Sequence, residues 1–247
     1  MKAFFIVCPL VFLAGLVDSI GGGGGLISLP AYLLAGLPVH TAIATNKLSS
    51  SIGTSVSTGR FIRHGYVHFK FAGPCLLFSI AGSILGSNLS LMASDRILRN
   101  FLMVVLPVAA FFVLFNRKKE IPEGGTAITG KMYAIGFISA LLIGIYDGFY
   151  GPGTGTFLLL AFTGLAKTDL HTAAGTTKVL NLTSNITALF TFLVHREVLF
   201  PLGLAAAVFC MAGHYIGAGL VDKNGMKVIR PIILTVLTLL FIKILTE

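Results

Sequence analysis

Charge is scarce in this chain, and that scarcity decides the first question. Only 11% of the 247 residues are charged, where a soluble domain carries about 25%. Acidic residues are the rarer sign, nine against eighteen lysines and arginines, and tryptophan is absent. Cysteine is nearly absent too. Cys8, Cys75 and Cys210 lie in apolar segments, with no CxxC spacing among them. We therefore expect buried inert thiols, with no disulfide and no metal site. Nucleotide loops are missing: no Gly-Lys-Ser/Thr opens a helix, and no strand precedes a glycine fingerprint. Nor does any His/Asp/Ser or His/Cys constellation suggest hydrolysis, so no enzyme and no cofactor are expected.

What is present is apolar. Hydrophobic residues make up 55% of the chain, and the mean hydropathy is +0.91. The runs 71–93, 97–115, 199–221 and 228–242 approach the ~20 residues that a helix needs to cross a bilayer. They lack the alternation of a β-barrel strand. The fold class expected is an all-α polytopic membrane protein, with the lipid bilayer as its surroundings. The net charge of +9 comes mostly from short loops. That is the positive-inside bias, so nucleic acid is not expected as a partner.

The chain also repeats itself. The first half carries Asp18, five glycines at 21–25, His40, Thr41, Ala42, Thr45, Asn46 and Lys47. The second carries Asp147, then Gly151, Pro152, Gly153, Thr154 and Gly155, then His171, Thr172, Ala173, Thr176, Thr177 and Lys178. Further pairs keep a constant separation of 131 positions: His64 with His195, Phe69 with Phe200, Gly82 with Gly213, Gly86 with Gly217 and Arg99 with Arg230. Spacing held through five pairs is the mark of a duplication. It predicts repeats at 1–115 and 131–247 joined by a polar linker at 116–130. The first fifteen residues could pass for a signal peptide. Asp18 aligns with Asp147, however, so the preceding helix is expected to be retained.

Each half reads as five segments: 3–19, 25–36, 39–63, 70–93 and 95–115, then 131–149, 154–166, 170–194, 199–221 and 225–245. The second of each set is too short to cross alone, which predicts eight to ten transmembrane segments. If each half crosses an odd number of times, loops 60–70, 116–131, 164–171 and 221–230 share one side and hold eleven basic residues against five. Lys47 and Lys178 complete the eighteen. That excess predicts inverted-topology repeats, with both termini outside.

Lysine at membrane depth costs about 2.5–3.5 kcal/mol on insertion scales and is rarely kept without a task or a partner. Lys178, Asn181 and Asn185 share a helix face at i, i+3, i+7, as do Lys47, Ser50 and Thr54. Asn46 and Thr177 sit beside them. The glycine clusters break their helices, and the short segment after each break begins with unpaired N–H groups and a positive dipole end, which suits an anion. The candidate substrate-binding residues are Asn46, Lys47, Ser50, Thr177, Lys178, Asn181, Asn185, Gly23, Gly24, Gly153 and Thr154. Asp18 and Asp147 have two readings: they neutralise the lysines, Lys47 with Asp18 and Lys178 with Asp147, or they carry protons. Gly82, Gly86, Gly213 and Gly217 are small-xxx-small packing positions. His214, alone in an apolar run, reads as a packing histidine.

A glycine-rich break after an acidic residue, Leu29-Pro30, Gly36-Leu37-Pro38 and Thr45-Asn46-Lys47, answered by the string 175–185 (Gly-Thr-Thr-Lys-Val-Leu-Asn-Leu-Thr-Ser-Asn), resembles the sulfite exporter TauE/SafE family, in particular its YfcA-like branch. The resemblance covers nearly the whole chain. It implies a prokaryotic inner-membrane protein that moves sulfite or organosulfonates, typically outward. Pro152 and Thr154 depart from a plain glycine run, so the two half-sites are expected to differ. The function expected is secondary transport of a small anionic substrate by alternating access. An anion channel, or a proton-coupled importer of another anion, is the alternative, and a homodimer is among the assemblies open to the chain.

Overall fold

The computed structural model describes residues 2–115 and 129–219, and every regular element among them is helical. Most of the linker and the predicted segment 225–245, with Arg230, lie outside the described residues.

The first half forms α1 (Lys2–Gly21), α2 (Gly25–Leu34), α3 (Val39–Arg63), α4 (Phe69–Met92) and α5 (Asp95–Phe115). The second forms α6 (Gly130–Phe149), α7 (Thr154–Leu160), α8 (Leu170–Val194) and α9 (Phe200–Gly217). A π-helical turn, Ala161–Leu165, extends α7. Four helices, α1 (through Ile20), α4, α6 and α9, are long and apolar enough to cross a membrane. α3 and α8 have 25 residues each and are long enough, but both carry the polar stripe and bury it. The second element of each half is short, as its sequence predicts.

Local chemistry sets the boundaries. At the start of α8, Asp169 accepts the Thr172 N–H at 2.9 Å. Thr129 accepts the Met132 N–H at 3.3 Å and starts α6. α1 ends where Gly22 and Gly23 take φ of +72° and +92°; α6 ends ahead of Gly151 and Gly153 at +92° and +83°. Side chains other than glycine rarely adopt those angles.

Helices from opposite halves pack together. α1 lies along α9, and α6 along α4. Glycine permits both close approaches: a side chain on Gly213 would run into the Phe12 carbonyl, and one on Gly86 into the Ile145 carbonyl. Such contacts hold membrane helices together by packing, since lipid offers no hydrophobic drive between them. One apolar cluster joins Val7, Leu29, Ile43 and Ala206; another joins Phe71, Ala140, Phe162 and Leu180. α3 and α8 run antiparallel at the centre. Tyr66, after α3, packs against His171 at the start of α8, with centroids 4.5 Å apart and the rings tilted by 32°. At the opposite end Thr41 donates to Glu197 at 3.3 Å, and Leu199 N–H donates to Thr45 Oγ1 at 3.0 Å.

Candidate functional site

The two helix breaks meet. A Cβ on Gly155 would stand 3.2 Å from Gly22 Cα, and one on Gly25 would stand 3.1 Å from Pro152 Cα. The N-terminal ends of α2 and α7 are thereby brought together at the centre, where only glycine backbones come close enough.

Around this junction the two lysines are neutralised crosswise. Lys47 Nζ lies 2.8 Å from Asp147 Oδ2, and Lys178 Nζ lies 3.0 Å from Asp18 Oδ2. This corrects the pairing expected from sequence, which joined each lysine to the aspartate of its own half. The junction explains the exchange: each aspartate stands near the end of the first helix of its half, at the break where the two halves meet, and the polar helices α3 and α8 pack against each other there. All four side chains are buried. An ion pair at that depth is retained only with hydrogen bonds to its remaining atoms. Asp147 has them: Thr154 donates to Oδ1 at 2.7 Å and Ser184 to Oδ2 at 2.6 Å. Asp18 accepts the Gly24 N–H at 3.2 Å on Oδ1, and Lys178 also donates to the Asp18 carbonyl. Lys47 donates to Asn185 Oδ1 at 2.9 Å. Thus each carboxylate holds the start of the short helix of its own half, Asp18 through the Gly24 N–H and Asp147 through the Thr154 hydroxyl, and binds the lysine of the other.

A cavity of about 30 Å³ opens between the pairs, more than one ordered water needs. Asn46, Lys47, Ser50, Asn181, Asn185, Gly23, Gly24, Gly153, Thr154, Asp18 and Asp147 all line it. Lys178 and Thr177 do not. Lys178 sits behind Asp18, and the Thr177 hydroxyl is buried with no hydrogen-bond partner among the described residues.

Among the other lining residues are Ser28 and Tyr150, which the sequence did not single out, and His214, which it gave only a packing role. The hydroxyls of Ser28 and Tyr150 are buried without a partner among the described residues. Nothing in the sequence separates a serine in α2 or a tyrosine after α6 from ordinary packing. For His214 the signal was its place one turn beyond Cys210, on the helix that packs on Asp18; only the fold supplies that neighbour.

The cavity walls are rich in donors. Among the described residues, no acceptor takes the N–H of Gly23, Gly25, Gly153 or Gly155. The Nδ2 groups of Asn46 and Asn181 are likewise undonated. Lys47 has a third N–H beyond those facing Asp147 and Asn185. Buried donors without acceptors are costly, and an acceptor-rich guest removes the cost. No group of three or more His, Cys, Asp or Glu side chains suited to a metal occurs among the described residues.

An all-helical bundle with apolar outer faces, broken helices and ion pairs at its centre is the build of a multi-pass membrane transporter. Its sequence relationships agree. Residues 7–244 match the model of the family described as Sulfite exporter TauE/SafE, and the chain belongs to that family. It is 34% identical over 248 residues to "Probable membrane transporter protein ORF9" of Sinorhizobium sp, covering 100% of this chain and 93% of that protein. It is 34% identical over 257 residues to "Probable membrane transporter protein YfcA" of Escherichia coli (strain K12), covering 100% and 94%. A more distant relative, "Probable membrane transporter protein YunE" of Bacillus subtilis (strain 168), is 24% identical over 268 residues, covering 99% and 98%. No solved structure matches the chain.

Proposed function

We propose that this chain exports small sulfur-containing oxyanions, sulfite or organosulfonates, across a prokaryotic inner membrane by alternating access. The observation that carries the reading is the convergence of unaccepted donors on one central cavity: the ends of two broken helices, two asparagine amides and Lys47. Amides and dipole ends replace an oxyanion's hydration shell there, and Lys47 adds a charge-assisted bond. The sulfur comes from the family; the anion comes from the donors.

The cavity's size favours a carrier over a channel. About 30 Å³ admits water and must widen for an oxyanion, so the site works by opening and closing. The antiparallel α3 and α8, and the exchanged packing of α1 with α9 and α6 with α4, support inverted repeats that rock against each other. For an anion that moves without a companion ion, the membrane potential suffices as the energy source. Outward movement of an anion gains about 2.3 kcal/mol per charge per 100 mV from a negative-inside potential.

The test is sulfite flux in proteoliposomes. Lys47→Ala should lower it by about tenfold or more, since a hydrogen bond to a charged group contributes about 1.5–3 kcal/mol. Lys178→Ala should lower it too, by leaving Asp18 uncompensated beside the anion. Wild-type flux in both variants would sink the site.

A further inference from the structure

The proton alternatives weighed from sequence rested on the aspartates, yet the structure ties both of them to lysines and points elsewhere. We propose that His214 binds the proton that accompanies the anion, and that protonation of its Nε2 releases Lys178 to the substrate. The inference rests on the anion-transport reading above.

His214 lies on α9, 2% exposed, and lines the cavity. Its Nδ1 is 3.0 Å from Ser57 Oγ. Ser57 spends its own hydroxyl proton on the Thr54 carbonyl, at 3.1 Å. With that hydroxyl so placed, we assign the acceptor role to the Ser57 oxygen and the hydrogen to Nδ1. In a neutral ring that leaves a lone pair on Nε2. Nε2 faces Asp18 Oδ2 at 3.8 Å, so two acceptors look at each other across a gap too wide for a hydrogen bond. A proton on Nε2 turns this stand-off into an ion pair. The oxygen it would claim is the one that Lys178 holds at 3.0 Å. Imidazolium and ammonium then compete for Oδ2, and a freed ammonium can turn to the cavity.

The surroundings are few and named. From α1 the histidine faces Asp18, and from α8 it faces Lys178 beyond that carboxylate. From α3 it meets Ser57, and Arg60 reaches the neighbouring Tyr215 carbonyl at 3.4 Å. Cys210 is one turn earlier on α9. Lys47 and Asp147 line the same cavity but neutralise each other. With a neutral ring, the two lysines and two aspartates sum to zero. Protonation makes the cavity positive by one, and a monovalent anion restores zero. Uncompensated charge is expensive at this depth, so proton and anion favour each other's binding.

The device exists in one half only. The position 131 residues before His214 is Ser83, whose hydroxyl donates to the Ser184 carbonyl at 2.7 Å. Asp147 has Lys47, Ser184 and Thr154 around it, and no histidine. Gly53 makes the room: a Cβ there would sit 2.9 Å from His214 Cδ2. One half therefore supplies the proton site, and one proton moves with each monovalent anion as an electroneutral pair, which the anion's own outward concentration gradient drives.

Purified protein in proteoliposomes with a trapped pH dye tests this, using sulfite and methanesulfonate as probes. Methanesulfonate keeps its charge throughout the working range, so any pH dependence belongs to the protein. Wild type should move one proton with each anion. In His214→Gln the anion flux that remains should carry none and should lose its dependence on pH. Ser57→Ala removes the acceptor that favours the charged ring, so its pH profile should shift to lower pH. That second variant serves if His214→Gln fails to fold. Wild-type proton coupling in His214→Gln, or an unshifted profile in Ser57→Ala, would overturn the proposal. Absence of flux for both anions in wild type would instead sink the transport reading. Nitrogen-15 NMR of histidine-labelled protein decides the proton role separately: a His214 signal that stays in the Nδ1–H form on acidification and anion addition would end it.

Discussion

Lys47 and Lys178 occupy equivalent places in the two halves, yet only Lys47 reaches the cavity. The difference lies in what surrounds their aspartates. Asp147 is held by a lysine and two hydroxyls, while Asp18 has a lysine and the Gly24 N–H, with the edge of a histidine beyond. The crossed pairing gives a sharp prediction. Removing one partner of a buried pair costs about 3–5 kcal/mol. A double-mutant cycle of Lys47→Met with Asp147→Asn should show a coupling of about 1–3 kcal/mol in thermal or denaturant unfolding. The cycle of Lys47→Met with Asp18→Asn should show a coupling near zero. The reverse pattern would return each lysine to its own half. All four charged residues stood out in the sequence, because ionised groups in apolar runs are conspicuous. Their pairing did not, since residue spacing carries no information about which half packs where. Ser28 and Tyr150 were hidden for a simpler reason, being ordinary residues until a cavity forms beside them, and His214 read as packing because only the fold sets it beside Asp18.

At the scale of the element, glycine chemistry was legible and fine geometry was not. The breaks after Asp18 and Asp147 fall where the sequence put them, because glycine-rich stretches with positive φ cannot continue a helix. The π-helical turn after α7 was invisible, as nothing in Ala161–Leu165 distinguishes it from an α-helical turn. Small residues on α4 and α6 interlock so tightly that Gly86→Leu should destabilise the protein by about 1–3 kcal/mol, the cost of overpacking a closed interface. Loss of the monodisperse peak on size exclusion, or a lowered melting temperature, would register it. A helix end gives a pH prediction. Partial burial raises the Asp169 carboxyl, but bonds from the Thr172 N–H and hydroxyl outweigh it and hold the group below the usual carboxylate range. A depressed folded value means that the cap stabilises above the ordinary carboxylate pKa, and that its contribution falls away as acid protonates the folded form. Asp169→Ala should cost about 1 kcal/mol at neutral pH and progressively less on acidification. A cost that does not change with pH would show that the carboxylate is not the cap.

For the whole molecule, duplication made the segment order readable, and the constant offset of 131 carried boundaries from one half to the other. The sense in which the halves run could only be inferred from loop charge. The antiparallel α3 and α8 now turn that inference into a measurable arrangement. Lys167 precedes α8 and Arg196 follows it, and both are exposed. The 25 residues of α8 that lie between them extend about 37 Å as an α-helix, more than the ~30 Å of a hydrocarbon core. The two residues should therefore sit on opposite faces of the membrane. Arg63 and Lys70 share the Lys167 end, since Tyr66 packs against His171 and the Tyr133 hydroxyl donates to the Lys70 carbonyl at 2.9 Å. On the positive-inside rule we expect that end in the cytoplasm. Lys167→Cys should then react with an impermeant maleimide only in inside-out vesicles, and Arg196→Cys only in whole spheroplasts. Cys8, Cys75 and Cys210 are buried and should contribute little background. Labelling of both variants from the same face would mean that α8 does not cross, and a rocking pair of inverted halves would lose its central helix.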